Sequence, residues 1–117
     1  MKFSVSLKKN SDFRRLYAKG KSVATPRFVL YARKNGREIN RLGITASTKL
    51  GNAVVRNRLR RRLREVYRLC EADLIPGFDL IIVARGAALA APFVRLCGDM
   101  RSLAGRLGAL GVEREKP

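Results

Sequence analysis

The chain has 117 residues, and its 26 Lys and Arg against nine Asp and Glu give a formal net charge of +17. A chain of this length folds as one domain without disulfides or a structural metal. The charge favours a nucleic acid or an anionic membrane over a small metabolite. No apolar run approaches the roughly 20 residues that span a bilayer, and no signal-type segment follows the basic start, so we expect a cytoplasmic protein without membrane contact.

The residue types for protein-based catalysis are sparse. Histidine is absent, which removes the commonest general base and metal ligand. Cys70 and Cys97 lack CxxC spacing, so two reduced thiols in apolar helix positions are favoured over a disulfide or a zinc site. The close acidic pairs are Glu71 with Asp73 and Glu113 with Glu115. We expect these acids to be solvated, and we expect no catalytic side chain and no metal held by protein side chains alone.

The first predicted element in chain order is a helix over 11–20, with Ser11 as its N-cap and Gly20 at its end. A strand follows over 27–34, because β-branched and aromatic residues there alternate between two faces. One face holds Phe28, Leu30 and Ala32, and the other holds Val29, Tyr31 and Arg33.

Asn35-Gly36 is a turn signal that predicts a hairpin with a long connection to a returning strand over 41–49. The inward face of that strand would hold Leu42, Ile44 and Ala46, and the polar face Gly43, Thr45, Ser47 and Lys49. The nearly continuous apolar run at 78–85 predicts a central strand covered on both sides. A last helix is predicted from Pro92 to about Leu107. We expect one domain over 1–117, with an ordered core at about 9–107 and a frayed tail at 111–117.

The most informative segment is 52–70, which predicts an amphipathic helix with two opposed sides. Its apolar stripe comprises Val55, Leu59, Leu63, Val66 and Cys70. The far side holds Asn57, Arg60, Arg61, Arg64 and Arg68, while Arg56, Arg58 and Arg62 flank the stripe. Gly51 and Asn52 at its start add backbone amides suited to an anion.

Six arginines lie between positions 56 and 65, and Glu65 is the single acid from 39 to 70. A solvated helix face is the plainest alternative, but such faces mix charge signs because like charges four residues apart are destabilising. Here Arg56 with Arg60, and Arg60 with Arg64, are like pairs. A polyanion would supply the missing counter-charge. A bilayer surface is disfavoured because the protein's own core needs the apolar stripe.

Several motifs in the chain are specific enough to compare with known families. The main motif is Arg56-Asn57-x-x-Arg60-Arg61-x-x-Arg64-Glu65, preceded by Lys49-x-Gly51-x-Ala53-Val54. Others are Asp12-Phe13, Arg27-Phe28-Val29-Leu30-Tyr31 and Asp79-Leu80-Ile81-Ile82. Together they resemble the bacterial ribonuclease P protein component over about residues 9–107. Tyr17 stands where phenylalanine is common in that family, and Arg60 stands where lysine is frequent.

The resemblance implies an α+β fold, a two-layer α/β sandwich with αβββαβα topology, a mixed sheet and a left-handed βαβ crossover. Pattern alone would predict a right-handed crossover. It also implies the protein subunit of an endonuclease that removes the 5′ leader of precursor tRNA. The catalytic RNA subunit, with its Mg²⁺, would perform the cleavage. No further protein partner is implied, and dimerisation of the holoenzyme is left open.

The resemblance assigns two sets of site residues. The RNA-subunit contact would comprise Lys49, Gly51, Asn52, Arg56, Asn57, Arg58, Arg60, Arg61, Arg62 and Arg64. The leader-binding cleft would comprise Phe13, Tyr17, Val29, Tyr31, Thr45 and Ser47, with Lys49 near the leader backbone. From the residues alone, ordinary core aromatics are the favoured interpretation of Phe13 and Tyr17, since aromatic residues at helical spacing usually pack, and a purely structural Asn57 is an open alternative. A generic ribosomal-type or DNA-binding protein and an autonomous nuclease are the alternative functions.

Overall fold

The computed structural model describes residues 4–111, which form three helices, five strands and three short 3-10 turns. The helices are α1 (Asn10–Lys19), α2 (Ala53–Cys70) and α3 (Phe93–Arg106). The strands are β1 (Ser4–Ser6), β2 (Lys21–Ala24), β3 (Phe28–Lys34), β4 (Asn40–Thr45) and β5 (Phe78–Ala84). The turns are Thr48–Leu50, Glu71–Asp73 and Gly86–Ala88. The predicted frayed tail, apart from Gly111, lies outside the described residues, as does the pair Glu113 and Glu115.

The strands form one mixed sheet in the order β1-β4-β5-β3-β2. β5 is central, parallel to β4 and antiparallel to β3. The central position predicted for 78–85 is therefore confirmed, as is the α+β class with its αβββαβα order after β1. Helix α2 connects the parallel strands β4 and β5; the left-handed sense of this connection stays a prediction.

The predicted hairpin between 27–34 and 41–49 is wrong. β3 pairs with β2 and β5, whereas β4 pairs with β1 and β5, so β5 lies between them. The turn itself exists, with Gly36 at φ 72°. Asn35 donates its backbone N–H to the Gly77 carbonyl, 2.8 Å away at the start of β5. The apolar β5 thus gains a hydrogen-bonded neighbour on each edge, which a local turn signal cannot reveal.

The main core lies between one face of the sheet and helices α2 and α3. Its buried members include Phe28, Leu30, Leu42, Leu80 and Ile82 from the sheet, Leu59, Leu63, Val66, Tyr67 and Cys70 from α2, and Leu96, Met100, Leu103 and Ala104 from α3. The apolar stripe of α2 is confirmed apart from Val55, which is half-buried. Cys70 and Cys97 are free thiols, as predicted, and burial raises the pKa of Cys70 to about 11.

Helix α1 packs on the opposite face of the sheet. A smaller cluster there contains Leu7, Leu16 and Ile81, with Phe13, Tyr31 and Val83 packed against it. Gly43 in β4 is needed for this approach, because a Cβ at this position would lie 2.5 Å from Cζ of Phe13. The glycine therefore lets the Phe13 ring lie directly against β4 and sets the height of α1 above the sheet.

The ends of the helices follow the sequence signals in part. α1 begins at Asn10, so Ser11 is not its N-cap; Lys9 holds that position without a side-chain hydrogen bond. The Leu7 N–H bonds the Leu42 carbonyl at 2.8 Å, which extends the pairing of β1 with β4 almost to the start of α1. Gly20 ends α1 as predicted. α3 begins at Phe93, with Pro92 as its N-cap.

A buried ion pair that the sequence pattern did not reveal fastens α3 to the start of β3. Asp99 is 6% exposed and accepts hydrogen bonds from Nε and Nη2 of Arg27 at 2.7 and 3.0 Å. The Thr25 hydroxyl donates to the same carboxylate at 3.2 Å. Asp99 lies three residues after Leu96 and therefore on the inward face of α3. This helical spacing was the feature of the sequence that could have predicted its burial.

Candidate RNA-binding surfaces

The start of α2 is a capped turn. Asn52 is the N-cap, and its Oδ1 accepts the Val55 N–H at 3.0 Å. Gly51 has φ 147°, a backbone conformation that side chains rarely adopt. Its carbonyl accepts a hydrogen bond from Nε of Arg56 at 3.2 Å. Asn52 therefore holds the loop that precedes the helix.

The α2 arginines divide into exposed and half-buried groups. Arg58, Arg61 and Arg64 are exposed, whereas Arg56, Arg60 and Arg62 are half-buried. Nη1 of Arg60 donates to Oδ1 of Asn57 at 2.7 Å, and its Nη2 donates to the Ala46 carbonyl at 3.4 Å. Asn57 therefore orients Arg60, which joins α2 to the end of β4.

Arg62 has a second structural contact. Its Nη2 donates to the Ala91 carbonyl at 2.7 Å and its Nη1 to the Ala88 carbonyl at 3.4 Å. These carbonyls belong to the connection between β5 and α3. Part of the Arg62 donor capacity is thus already used inside the protein, a role that helical spacing did not indicate.

The arginine face is defined here as Arg56, Arg58, Arg60, Arg61, Arg62 and Arg64. None of these six forms an ion pair within residues 4–111. The acid in this stretch, Glu65, is bonded to Arg68 at 2.9 Å from its Nε. That hydrogen bond lowers the pKa of Glu65. The six positive charges therefore have no internal counter-charge in the described part of the chain.

The aromatic residues predicted for the second site are brought together between α1 and the sheet. The rings of Phe13 and Tyr17 have centroids 6.5 Å apart, and those of Tyr17 and Tyr31 meet edge-on at 5.0 Å. Tyr17 is 42% exposed, whereas Phe13 and Tyr31 are half-buried against the small cluster. These aromatic side chains therefore pack against the sheet, as core residues do, and also leave the ring of Tyr17 accessible to a ligand.

Beside α1, one row of side chains on the same face of the sheet has no aromatic ring of the helix packed on it. Strand register places Val29 opposite Val83, and Val83 opposite Thr45. All three are half-buried. Val83 was absent from the predicted site, although alternation within the 78–85 strand was enough to place it on this face. We define the aromatic cleft as Phe13, Tyr17, Val29, Tyr31, Thr45 and Val83.

Ser47 and Lys49 do not extend the polar face of β4 as predicted. The strand ends at Thr45, and Lys49 lies in the 3-10 turn Thr48–Leu50. Both side chains are exposed. Strand alternation fails there because the chain must turn to reach the Asn52 cap of α2. Ser47 and Lys49 therefore lie in the connection between the two surfaces, outside the sheet.

The acidic residues do not converge. Within residues 4–111, no three His, Cys, Asp or Glu side chains come together as a metal site. Asp73 is bonded to Arg101 at 2.7 Å. Glu71 is 4% exposed, so its predicted solvation is wrong; it is buried in the turn that follows α2. No helix in the same range is long and apolar enough to cross a membrane.

Comparison with known proteins gives one consistent family. The family model described as Ribonuclease P matches residues 1–108. The ribonuclease P protein component of Thermoanaerobacter sp. (strain X514) is 44% identical over 99 residues, covering 85% of each chain. The RNase P protein of Staphylococcus aureus superposes with a TM-score of 0.80 at 35% identity, covering 90% of this chain and 96% of that one. The protein from Thermotoga maritima gives 0.76 at 28% identity, covering 96% and 98%.

Proposed function

The chain belongs to the ribonuclease P protein family, and on that premise we propose that it binds the catalytic RNA subunit and the 5′ leader of precursor tRNA. In this role it promotes removal of the leader in the cytoplasm. The observation that carries the proposal is the arginine face of α2, whose six guanidinium groups lack an ion-pair partner within residues 4–111.

The arginine face suits a folded RNA. Arg58, Arg61 and Arg64 point outward from a helix whose other side is fixed in the core. Guanidinium groups donate to phosphate oxygens in pairs, and a rigid helix presents them at a fixed spacing. Each phosphate that is neutralised releases condensed counterions, which makes the binding favourable and salt-dependent. We therefore assign the RNA subunit to this face.

The aromatic cleft suits a single strand. Tyr17 offers an accessible ring, and the row formed by Val29, Val83 and Thr45 supplies a mostly apolar floor. Unpaired bases stack on such rings with little sequence preference, whereas paired bases are already stacked. The single-stranded 5′ leader is therefore assigned to the cleft.

Bond cleavage is assigned to the RNA subunit. The protein has no histidine, and Asp12 in α1 and Asp79 in β5 are engaged by arginines. These residues do not fit a Mg²⁺ ion held by protein side chains, and no step is derived through one. The protein contributes binding and orientation, which are large terms in phosphoryl chemistry.

A cleavage assay with precursor tRNA at low Mg²⁺ tests the proposal. Three reactions are compared: the cognate RNA subunit alone, the protein alone, and both together. We expect strong cleavage in the combined reaction and none with the protein alone. Cleavage by the protein alone would identify an autonomous nuclease. A competitor tRNA is added with or without a 5′ leader. If both competitors reduce the stimulation of cleavage equally, a generic RNA-binding protein is favoured instead.

A further inference from the structure

A basic cavity of about 480 Å³ lies on the far side of α1 from the open row of the aromatic cleft. It is bounded by the first turn of α1, the loop after β3, and the ends where β4 and β5 begin. Its six cations are Lys9, Arg15, Arg33, Lys34, Arg37 and Arg41. The two acids that line it are Asp12 and Asp79, which leaves a formal excess of four positive charges.

Both acids are already committed to neighbouring arginines. Asp79 accepts hydrogen bonds from Nε and Nη2 of Arg41 at 2.8 and 2.7 Å, and from Nδ2 of Asn35 at 2.9 Å. Burial alone would raise the pKa of Asp79, but the bonds from Arg41 and Asn35 outweigh it and lower the pKa. Asp12 accepts from Arg15 at 3.2 Å and from Arg41 at 3.4 Å. Arg41 is therefore fully engaged as a scaffold.

The other four cations have no hydrogen-bonded carboxylate within the described residues. The side chains of Lys9, Arg33, Lys34 and Arg37 form no ion pair within residues 4–111. Helix α1 adds to the positive potential, since its first turn faces the cavity and its N-cap, Lys9, supplies no side-chain hydrogen bond. The amino end of a helix carries a partial positive charge that favours an anion.

This cavity is separate from the aromatic cleft. Arg41, Asp79 and Arg33 are register partners in one row across the sheet, while Thr45, Val83 and Val29 form the row four residues away. At about 3.3 Å per residue the two rows are roughly 13 Å apart. α1 lies over the row between them, since Phe13 packs on Gly43 and Tyr17 on Tyr31.

We propose that this cavity is a third RNA contact, which binds backbone phosphate through Arg33, Arg37, Lys9 and Lys34. Arginine favours phosphate because two of its N–H groups reach two phosphate oxygens together. A neighbouring cavity of about 430 Å³ shares Arg33 and Lys34 and adds Lys19 and Lys21. The basic surface therefore continues past β3 and accommodates more than one nucleotide.

Titration of the isolated protein with inorganic phosphate, followed by amide NMR, tests the site without any RNA. The variant Arg33→Gln with Arg37→Gln is compared with Arg95→Gln with Arg106→Gln, which removes the same charge from exposed positions of α3. We expect saturable shifts at residues 35–38 in the parent and the α3 variant, and their loss in the cavity variant. Weak, non-saturating shifts spread over all basic surfaces would overturn the proposal, as would tighter binding of an oligoglutamate peptide than of an RNA oligonucleotide.

Binding to RNA identifies the source of the phosphate. The same variants are titrated with the cognate RNA subunit, and then with precursor tRNA in the presence of that subunit. Loss of two phosphate contacts should reduce the salt slope of log affinity by roughly 1.4 to 1.8. A smaller salt slope with the RNA subunit would show that the cavity binds phosphates of that subunit. A smaller salt slope only with precursor tRNA would show that it binds phosphates of the substrate. A cavity variant that matches the α3 variant in both titrations refutes the third contact, even if the arginine face and the cleft behave as proposed.

Discussion

The arginine face of α2 and the Arg41 network on the α1 face of the sheet use arginine in opposite ways. On the α1 face, Arg41 is paired with Asp79 and Asp12, and aromatic rings pack beside that network. On α2, six arginines project from one helix without an ion pair in the described residues. Cations with carboxylate partners organise this fold, whereas cations without partners are available to an external polyanion.

The difference has an energetic basis. A half-buried guanidinium is tolerated when hydrogen bonds and an opposite charge replace its lost water, as for Arg41. An exposed guanidinium keeps its water and adds little to stability. Repulsion between neighbouring arginines on α2 is a small cost that RNA binding would relieve. Stability and affinity should therefore respond to different substitutions.

The largest expected effect is on assembly with the RNA subunit. Arg61→Ala with Arg64→Ala removes two exposed cations without internal partners. Each phosphate that a cation neutralises contributes about 0.9 to the slope of log affinity against log salt, so affinity at 0.15 M salt should fall roughly 30-fold. The parent protein should show a salt slope of roughly −4 to −7 for about six to eight neutralised phosphates. Fluorescence anisotropy over a salt series measures both. An unfolded double variant, or a flat salt response of the parent, would contradict the assignment.

Substitution in the cleft should weaken substrate recognition. Tyr17→Ala removes a ring that is 42% exposed, and we expect a loss of about 1.5 kcal/mol, or roughly 10-fold, in affinity for leader-bearing precursor tRNA. Mature tRNA should bind the variant holoenzyme as it binds the parent. Arg95→Ala is the control on the exposed side of α3. Equal losses for both tRNAs would show that the cleft does not hold the leader.

The Arg41 network should appear in stability and in its pH dependence. Asp79→Asn should lower the free energy of unfolding by about 1 kcal/mol at neutral pH. Because the pKa of Asp79 is lowered in the folded protein, its contribution is present above the unfolded pKa of about 3.9 and is lost as pH falls through the folded pKa. Urea unfolding from pH 7 to pH 2.5 should show a shallower acid loss in the variant. Parallel curves would exclude this role.

The smallest expected effect separates two arginines on the same helix. Arg62→Ala removes hydrogen bonds to the Ala88 and Ala91 carbonyls and should cost about 0.5 kcal/mol of stability. Arg58→Ala, at an exposed position, should leave stability unchanged. Thermal unfolding of the two variants makes the comparison directly. If Arg58→Ala lowered stability more than Arg62→Ala, the division of these arginines into exposed and internally bonded side chains would be contradicted.

Local patterns predicted the three helices and the strands β3, β4 and β5, but they did not reveal the short strands β1 and β2. The apolar stripe of α2, the central strand at β5 and the end of α1 at Gly20 all follow from periodicity and helix-end signals. The unbalanced arginines of α2 were also visible, because charge is a property of the sequence itself. The buried Asp99 and Glu71 were not predicted, since their burial depends on partners and packing distant in the chain.

Sequence patterns were enough to predict the three helices, the strands β3, β4 and β5, and the helix with unbalanced charge, because these features depend on neighbours within a few residues. Only the tertiary structure decided that β5 separates β3 from β4 and that Val83 joins the cleft floor. It also decided that Arg41 forms ion pairs, whereas Arg33 and Arg37 form none within the described residues. Strand order and ion pairing join residues that are tens of positions apart in the sequence. Several strand pairings are equally compatible with the local signals, and the need to cover both edges and both faces of β5 selects one of them.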